Sequence, residues 1–111
     1  MNIWVVSSYY DSQMYASTHL TKKGAFLQAV TELYECMNID RYDTMEEFWK
    51  AHGFDEDDEK PEWCAYDREA LRALSGVKLC DQFSEMSEVY WDVSDWGDRV
   101  ELEVIHTRVA A

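Results

Sequence analysis

The sequence predicts a single α+β domain in which helices pack on one face of an antiparallel, four-stranded sheet, in the order β-β-α-α-α-β-β. Its 111 residues suit one domain. Apolar and polar residues alternate near both ends of the chain, whereas apolar residues in the middle recur at helical spacing. The composition is 47% hydrophobic and 14% aromatic, which indicates a folded core and excludes a disordered acidic tail.

The first two strands are predicted near the N-terminus. Residues 3–11 are rich in valine and aromatic side chains, which favour extended structure. Residues 13–20 alternate weakly between polar and apolar side chains, and we expect them to form the partner strand. The turn between the two strands is then placed at residues 11–13.

Three helices are predicted in the middle of the chain. The first begins after Thr21, a favourable N-cap residue, and its apolar face consists of Phe26, Val30, Leu33, Tyr34 and Met37. The second begins with a capping box at residues 44–47 and ends at Gly53, which can adopt a left-handed conformation. The third follows Pro61 and is expected to end at Gly76.

The C-terminal part is predicted to form a second hairpin. Residues 88–93 alternate between apolar and polar side chains, and so do residues 99–104. A turn at residues 95–98 separates these two strands. Because acids occupy one side of each strand and apolar residues the other, we expect one solvated and one buried face.

Charge is the strongest functional signal. The chain has 23 Asp and Glu against 10 Lys and Arg, a net charge of -13. Nearly all of the excess follows residue 39, in the predicted helices and the final hairpin. Direct binding to nucleic acid or to an anionic membrane is disfavoured, because such binding depends on Lys and Arg.

The sequence therefore predicts a negative surface that binds a basic protein surface. Interfaces concentrate tyrosine and tryptophan, so aromatic residues next to the acids are candidate anchors. The predicted partner-binding residues are Asp55, Glu56, Asp57, Asp58, Glu59, Glu62, Tyr90, Asp92, Asp95, Trp96, Asp98, Glu101 and Glu103. The alternative, that the acidity only keeps a small domain soluble, stays open.

No motif for catalysis, a cofactor or a metal is found. Residues 55–59 alternate like a calcium loop but are followed by Lys-Pro where the loop needs glycine. The histidines and cysteines lack zinc-site spacing, and four isolated glycines cannot form a phosphate loop. We therefore expect a non-enzymatic protein without a cofactor.

The compartment is predicted from what the sequence lacks. No apolar segment approaches the ~20 residues of a membrane span. The N-terminal residues do not match a secretory signal. Three cysteines without paired spacing favour reduced thiols, so we expect a cytoplasmic protein.

A short, strongly acidic chain that begins directly with a strand, here MNIWVVSSYYD, resembles the small proteins that phages encode against host defence. These are anti-CRISPR proteins and DNA-mimicking anti-restriction proteins, and the likeness is one of size, charge and layout. It implies an inhibitor that occupies the basic nucleic-acid groove of a defence complex, such as a CRISPR effector, in the host cytoplasm. These groups share no common fold, so the resemblance assigns no site residue.

Three alternatives stay open beside this reading. The first is an immunity protein or antitoxin that neutralises a basic nuclease. The second is a small housekeeping or virion-assembly domain whose acidity serves solubility. The third is an enzyme with an unrecognised site.

Overall fold

The structure, a computed structural model, describes residues 1–10, 12–54, 59–94 and 100–108. Its elements are β1 (Asn2–Tyr10), β2 (Gln13–His19), α1 (Lys22–Cys36), α2 (Met45–Ala51), α3 (Arg68–Ala73), α4 (Gly76–Val93) and β3 (Glu101–Arg108). Two 3₁₀ turns, Ile39–Arg41 and Glu62–Ala65, connect the helices. The fold class is α+β, as the sequence predicts.

The sheet of the described residues has three strands rather than the predicted four, in the antiparallel order β2-β1-β3. The N-terminal hairpin is confirmed, and β1 lies between β2 and β3. In this register Val6 faces Ser17 on one side and Val104 on the other. The final strand therefore pairs with the first strand and not with a neighbouring hairpin partner.

The predicted strand at residues 88–93 is wrong, because these residues form the last turns of helix α4. A two-residue alternation over six positions is a short signal. A helical repeat runs through the whole of α4, where the buried residues are Leu79, Gln82, Met86, Val89 and Tyr90. This longer repeat buries one continuous face, so it determines the structure.

Gly76 begins helix α4 instead of ending the previous helix. Ser75 is the N-cap, and its hydroxyl accepts a hydrogen bond from the Lys78 amide at 3.2 Å. A Cβ on Gly76 would lie 3.1 Å from the backbone nitrogen of Lys23. The glycine therefore allows the start of α4 to approach the start of α1. The predicted third helix is divided into the second 3₁₀ turn and α3.

The predicted starts of the first two helices are confirmed. The Thr21 hydroxyl accepts a hydrogen bond from the Gly24 amide at 3.0 Å. The Thr44 hydroxyl accepts one from the Glu47 amide at 3.2 Å, and the Glu47 carboxylate accepts one from Asp43 just before the cap. Gly53 follows α2 with a φ of 83°, the left-handed conformation expected of it.

The described helices cover one face of the sheet, and no described helix lies on the other face. Ala25 and Ala29 of α1 have no exposed surface, and they pack with Val6 of β1. These small side chains let the helix lie close to the sheet. The main core lies among the helices, where Leu33, Phe48, Trp63, Leu79 and Met86 are almost fully buried. Burial of these large side chains stabilises the fold.

Candidate functional site

Four acidic side chains form a line along the exposed face of helix α4. Asp81, Glu85, Glu88 and Asp92 are all exposed, and we call them the acidic stripe. Their spacing of four, three and four residues places them on one face of a helix. The stripe lies on a different side of α4 from the apolar residues that the helix buries.

Packing of α4 against α1 fixes which face of the helix meets solvent. The rings of Phe83 and Phe26 meet edge to face with centroids 5.8 Å apart. Leu79 and Met86 are fully buried in the same core. Rotation of α4 about its axis would expose these side chains, and burying them is worth about 1.5–3 kcal/mol each. The acidic stripe is therefore held towards solvent.

The acidic stripe is long enough to contact several basic side chains, although its carboxylates are more widely spaced than the phosphates of nucleic acid. A helix rises about 1.5 Å per residue, so the four carboxylates span about 16 Å. The average spacing is then about 5.5 Å along the axis. One strand of double-stranded DNA carries a charge every ~3.4 Å of axis. A basic surface about 16 Å long could contact several of these carboxylates together, but not in the register of phosphates.

No Lys, Arg or His of the described residues forms an ion pair with the acidic stripe, whereas four acids elsewhere do, namely Glu35, Asp40, Glu46 and Glu62. Arg68 contacts Asp40 at 2.7 Å and Glu35 at 3.4 Å. Lys78 contacts Glu62 at 3.4 Å. Within the described ranges, the charge of the stripe is therefore not compensated by a direct ion pair.

An aromatic side chain flanks the stripe near its C-terminal end. Trp91 is 56% exposed. With Ser87, Glu88 and Asp92 it lines a shallow concavity on the surface of α4. A large aromatic surface bordered by carboxylates has the composition of a protein-binding anchor.

Tyr90, a predicted anchor, does not lie on the surface. Its side chain is only 6% exposed. The hydroxyl accepts a hydrogen bond from the Val100 amide at 2.8 Å, so it connects α4 to the residue before β3. Helical geometry turns this residue towards the core, so its side chain is not placed to contact a partner in this structure. Trp96, the other predicted anchor, lies outside the described residues.

The predicted acids that the structure describes do not lie on one face. Asp92 belongs to the acidic stripe on α4. Glu101 and Glu103 are exposed on the open face of the sheet, opposite the helices. Glu59 and Glu62 are exposed near the second 3₁₀ turn. The other predicted acids, which lie outside the described residues, are Asp55, Glu56, Asp57, Asp58, Asp95 and Asp98.

Glu62 is engaged within the protein itself. The Tyr66 hydroxyl donates a hydrogen bond to its carboxylate at 2.6 Å. This bond, followed by the charge of Lys78, lowers the pKa of Glu62 below its ordinary value. Because its charge is already compensated, Glu62 is less suited to an external partner than the residues of the stripe.

Asp81, Glu85 and Glu88 were missing from the predicted site. The signal that identifies them is present in the sequence, because they recur with Asp92 at helical spacing beside the apolar repeat that starts at Leu79. On a strand over residues 88–93, Asp92 would not align with the other three acids.

Two of the three free cysteines, Cys36 and Cys64, are thiols with little nucleophilic character. Burial raises the pKa of Cys64 to about 12. Burial and the nearby charge of Glu32 also raise the pKa of Cys36. Both thiols are therefore protonated at neutral pH. Across the described ranges, no three His, Cys, Asp or Glu side chains are grouped to hold a metal ion.

Comparison with known proteins gives no match. No protein-family profile matches the chain. No curated protein and no solved structure matches it either. Within the described part of the chain, none of the helices has the length and apolar character needed to cross a membrane.

Proposed function

We propose that the chain is a binding protein whose acidic stripe engages the basic, nucleic-acid-binding surface of a partner protein and blocks nucleic acid from it. The observation that supports this proposal is the row of four exposed carboxylates without an ion pair among the described residues. The activity requires only occupancy of the partner surface, and no covalent bond is made or broken.

Electrostatic attraction would speed the association of the acidic stripe with a basic partner and would select against anionic partners. A net charge of -13 attracts cationic surfaces and repels anionic ones, including nucleic acid. A single exposed ion pair contributes about 0.2–1 kcal/mol. Four contacts of about 0.5 kcal/mol each correspond to roughly 30-fold in affinity. The apolar surface of Trp91 would supply contact that salt does not screen.

The class of partner that we propose is a host defence complex that binds nucleic acid, such as a CRISPR effector. The size, the charge and the layout that resemble phage anti-defence proteins support this choice. The identity of the captured partner distinguishes this proposal from the immunity-protein alternative. In that alternative, the captured protein would be a nuclease encoded beside this chain.

The experiment is affinity capture from a host lysate with three forms of the chain. The stripe variant carries Asp81→Asn, Glu85→Gln, Glu88→Gln and Asp92→Asn. The control variant removes the same formal charge elsewhere, with Glu59→Gln, Glu69→Gln, Glu101→Gln and Glu103→Gln, all of them exposed. Mass spectrometry with isotopic quantification compares the proteins retained at low and high salt.

We expect wild type and the control variant to retain the same nucleic-acid-binding protein, and the stripe variant to lose it. Retention should fall steeply as salt rises, because contacts between exposed charges are screened. Equal losses in both variants would show that net charge matters and not the stripe. Retention that does not change with salt would refute the electrostatic mechanism.

A further inference from the structure

Charge is distributed very unevenly along this chain. Among residues 1–20, Asp11 is the one Asp, Glu, Lys or Arg, whereas the whole chain has 33 such residues. Strands β1 and β2 contain none. A protein with a net charge of -13 thus has a hairpin whose strands are free of formal charge.

Strand β2 lies at an edge of the sheet and is unusually exposed. Within the described residues it pairs with β1 alone, so no described strand covers its outer edge. Met14 is 72% exposed and Tyr15 is 60% exposed, on opposite faces of the strand. Natural edge strands are usually protected by lysine, proline or a bulge. β2 contains neither lysine nor proline.

Large apolar side chains gather around this edge. Tyr9 and Met14 face each other across the β1–β2 ladder, and Tyr10 lies next to them. Tyr9, Tyr10, Met14, Tyr15 and Leu20 are all large and exposed. Tyr9 and Met14 form an exposed apolar pair on one face of the hairpin, and Tyr10 and Tyr15 lie on the other face. Exposed apolar surface on both faces of an edge strand is typical of an interaction site.

We propose that β2 pairs antiparallel with β2 of a second copy, with Ala16 on the two-fold axis. This register joins all seven residues of each strand and forms a six-stranded sheet, β3-β1-β2-β2-β1-β3. It places Met14 opposite Thr18 and Tyr15 opposite Ser17 of the second copy. Each large side chain then meets a smaller one, which favours close packing across strands. The helices of both copies lie on the same side of the sheet.

The occupant is a second copy because of where the charge lies. Two chains with net charges of -13 repel each other through most of their surface. At strands β1 and β2, two copies can contact each other without bringing carboxylates together, because these strands contain no Asp or Glu. A strand that is uncharged throughout also offers nothing that selects a charged peptide.

The buried area is sufficient for a weak dimer. An aromatic side chain buries 150–250 Å² when it is fully covered. Side chains that are more than half exposed, such as Met14 and Tyr15, can therefore each bury about 100 Å² on pairing. With the strand backbone, pairing removes roughly 500 Å² per copy, close to the ~1,000 Å² total that a specific interface needs. We therefore expect a weak dimer whose population depends on concentration.

The first test is sedimentation velocity from about 1 to about 200 µM, a range that covers micromolar dissociation. Wild type should shift from monomer to dimer, and added salt should favour the dimer because it screens the repulsion. Ala16→Glu places two carboxylates on the axis and should weaken dimerisation at least tenfold. Val77→Glu adds the same charge at another exposed apolar residue and should leave it unchanged.

The second test fixes the register and does not require a destabilising variant. Directly opposed residues of an antiparallel pair have Cα atoms about 4.5–5.5 Å apart, within reach of a disulfide. Ala16→Cys should therefore give a covalent dimer on mild oxidation. Gln13→Cys should not, because its copies would lie about 20 Å apart along the strands. Wild type, with its own three cysteines, gives the background.

Three results would overturn the proposal. The first is a wild-type chain that stays monomeric throughout the concentration range, which would leave the edge to a strand of another protein. The second is a dimer that persists equally in Ala16→Glu and Val77→Glu, because another surface would then mediate it. The third is equal cross-linking of Ala16→Cys and Gln13→Cys. Circular dichroism confirms that each variant is folded, and Met14→Glu replaces Ala16→Glu if that variant is not.

Discussion

Tyr90→Phe tests how α4 is connected to the sheet. The Tyr90 hydroxyl is the acceptor for the Val100 amide at 2.8 Å, and the side chain is buried. The substitution keeps the ring in the core but leaves this half-buried amide without its acceptor. An unsatisfied group of this kind costs about 1–3 kcal/mol. Because Val100 is only half-buried, we expect a loss of about 1–2 kcal/mol of unfolding free energy.

The assay is urea denaturation followed by circular dichroism, with a thermal scan in parallel. A loss of this size should lower Tm by about 4–8 °C in a domain of this length. Tyr15→Phe is the matched control, because its hydroxyl bonds to Gln13 on the exposed surface, and it should change stability by less than ~0.5 kcal/mol. If Tyr90→Phe were as harmless as Tyr15→Phe, the bond to Val100 would have no structural role.

Three further predictions follow from the contacts described above. Gly76→Ala should lose about 1 kcal/mol in urea denaturation, because the new Cβ meets the Lys23 backbone at 3.1 Å and this outweighs the gain in helix propensity. Because the pKa of Glu62 is lowered in the fold, its charged carboxylate stabilises the folded state at pH values above 4.5, its ordinary pKa. This stabilisation is lost as the pH falls through the lowered pKa. Tm of Tyr66→Phe, which lacks the main cause of the lowered pKa, should therefore depend less on pH over this acidic range, and an unchanged profile would contradict the assignment. Cys64, with its pKa raised to about 12, should react with a thiol reagent at pH 8 many times faster in urea than in the native protein, and equal rates would show that it is not shielded.

The elements that were predicted correctly are those with local and unambiguous signals. Thr21 and Thr44 cap their helices through their own side chains, so short segments of sequence were sufficient. Gly53 adopts the left-handed conformation that its place after a helix favours. The alternation of β3 was also recognised, with Leu102 and Val104 towards the core and the acids towards solvent.

The errors arose where two periodicities overlap. Residues 88–93 fit both a strand and a helix over six positions, and only the apolar repeat from Leu79 onwards distinguishes them. The local sequence around Gly76 predicts a helix stop, because the close packing of Gly76 against Lys23 is a long-range contact that the local sequence does not show.

The same error hid most of the candidate site. The acidic character of the C-terminal region was recognised from composition, and Asp92 was included. The alignment of Asp92 with Asp81, Glu85 and Glu88 exists only on a helix. The pairing of other acids with Arg68, Lys78 and Lys60 also depends on the tertiary structure, so composition could not separate compensated from uncompensated charge.

The most direct test of the proposed function is competition between this chain and nucleic acid for the captured partner. The immobilised chain, loaded with its partner from host lysate, is washed with duplex DNA or with buffer of the same ionic strength. We predict that duplex DNA releases the partner and that buffer does not, because the acidic stripe and the phosphates would occupy the same basic surface. A partner that DNA leaves fully bound, or that the stripe variant retains as well as wild type does, would contradict the account.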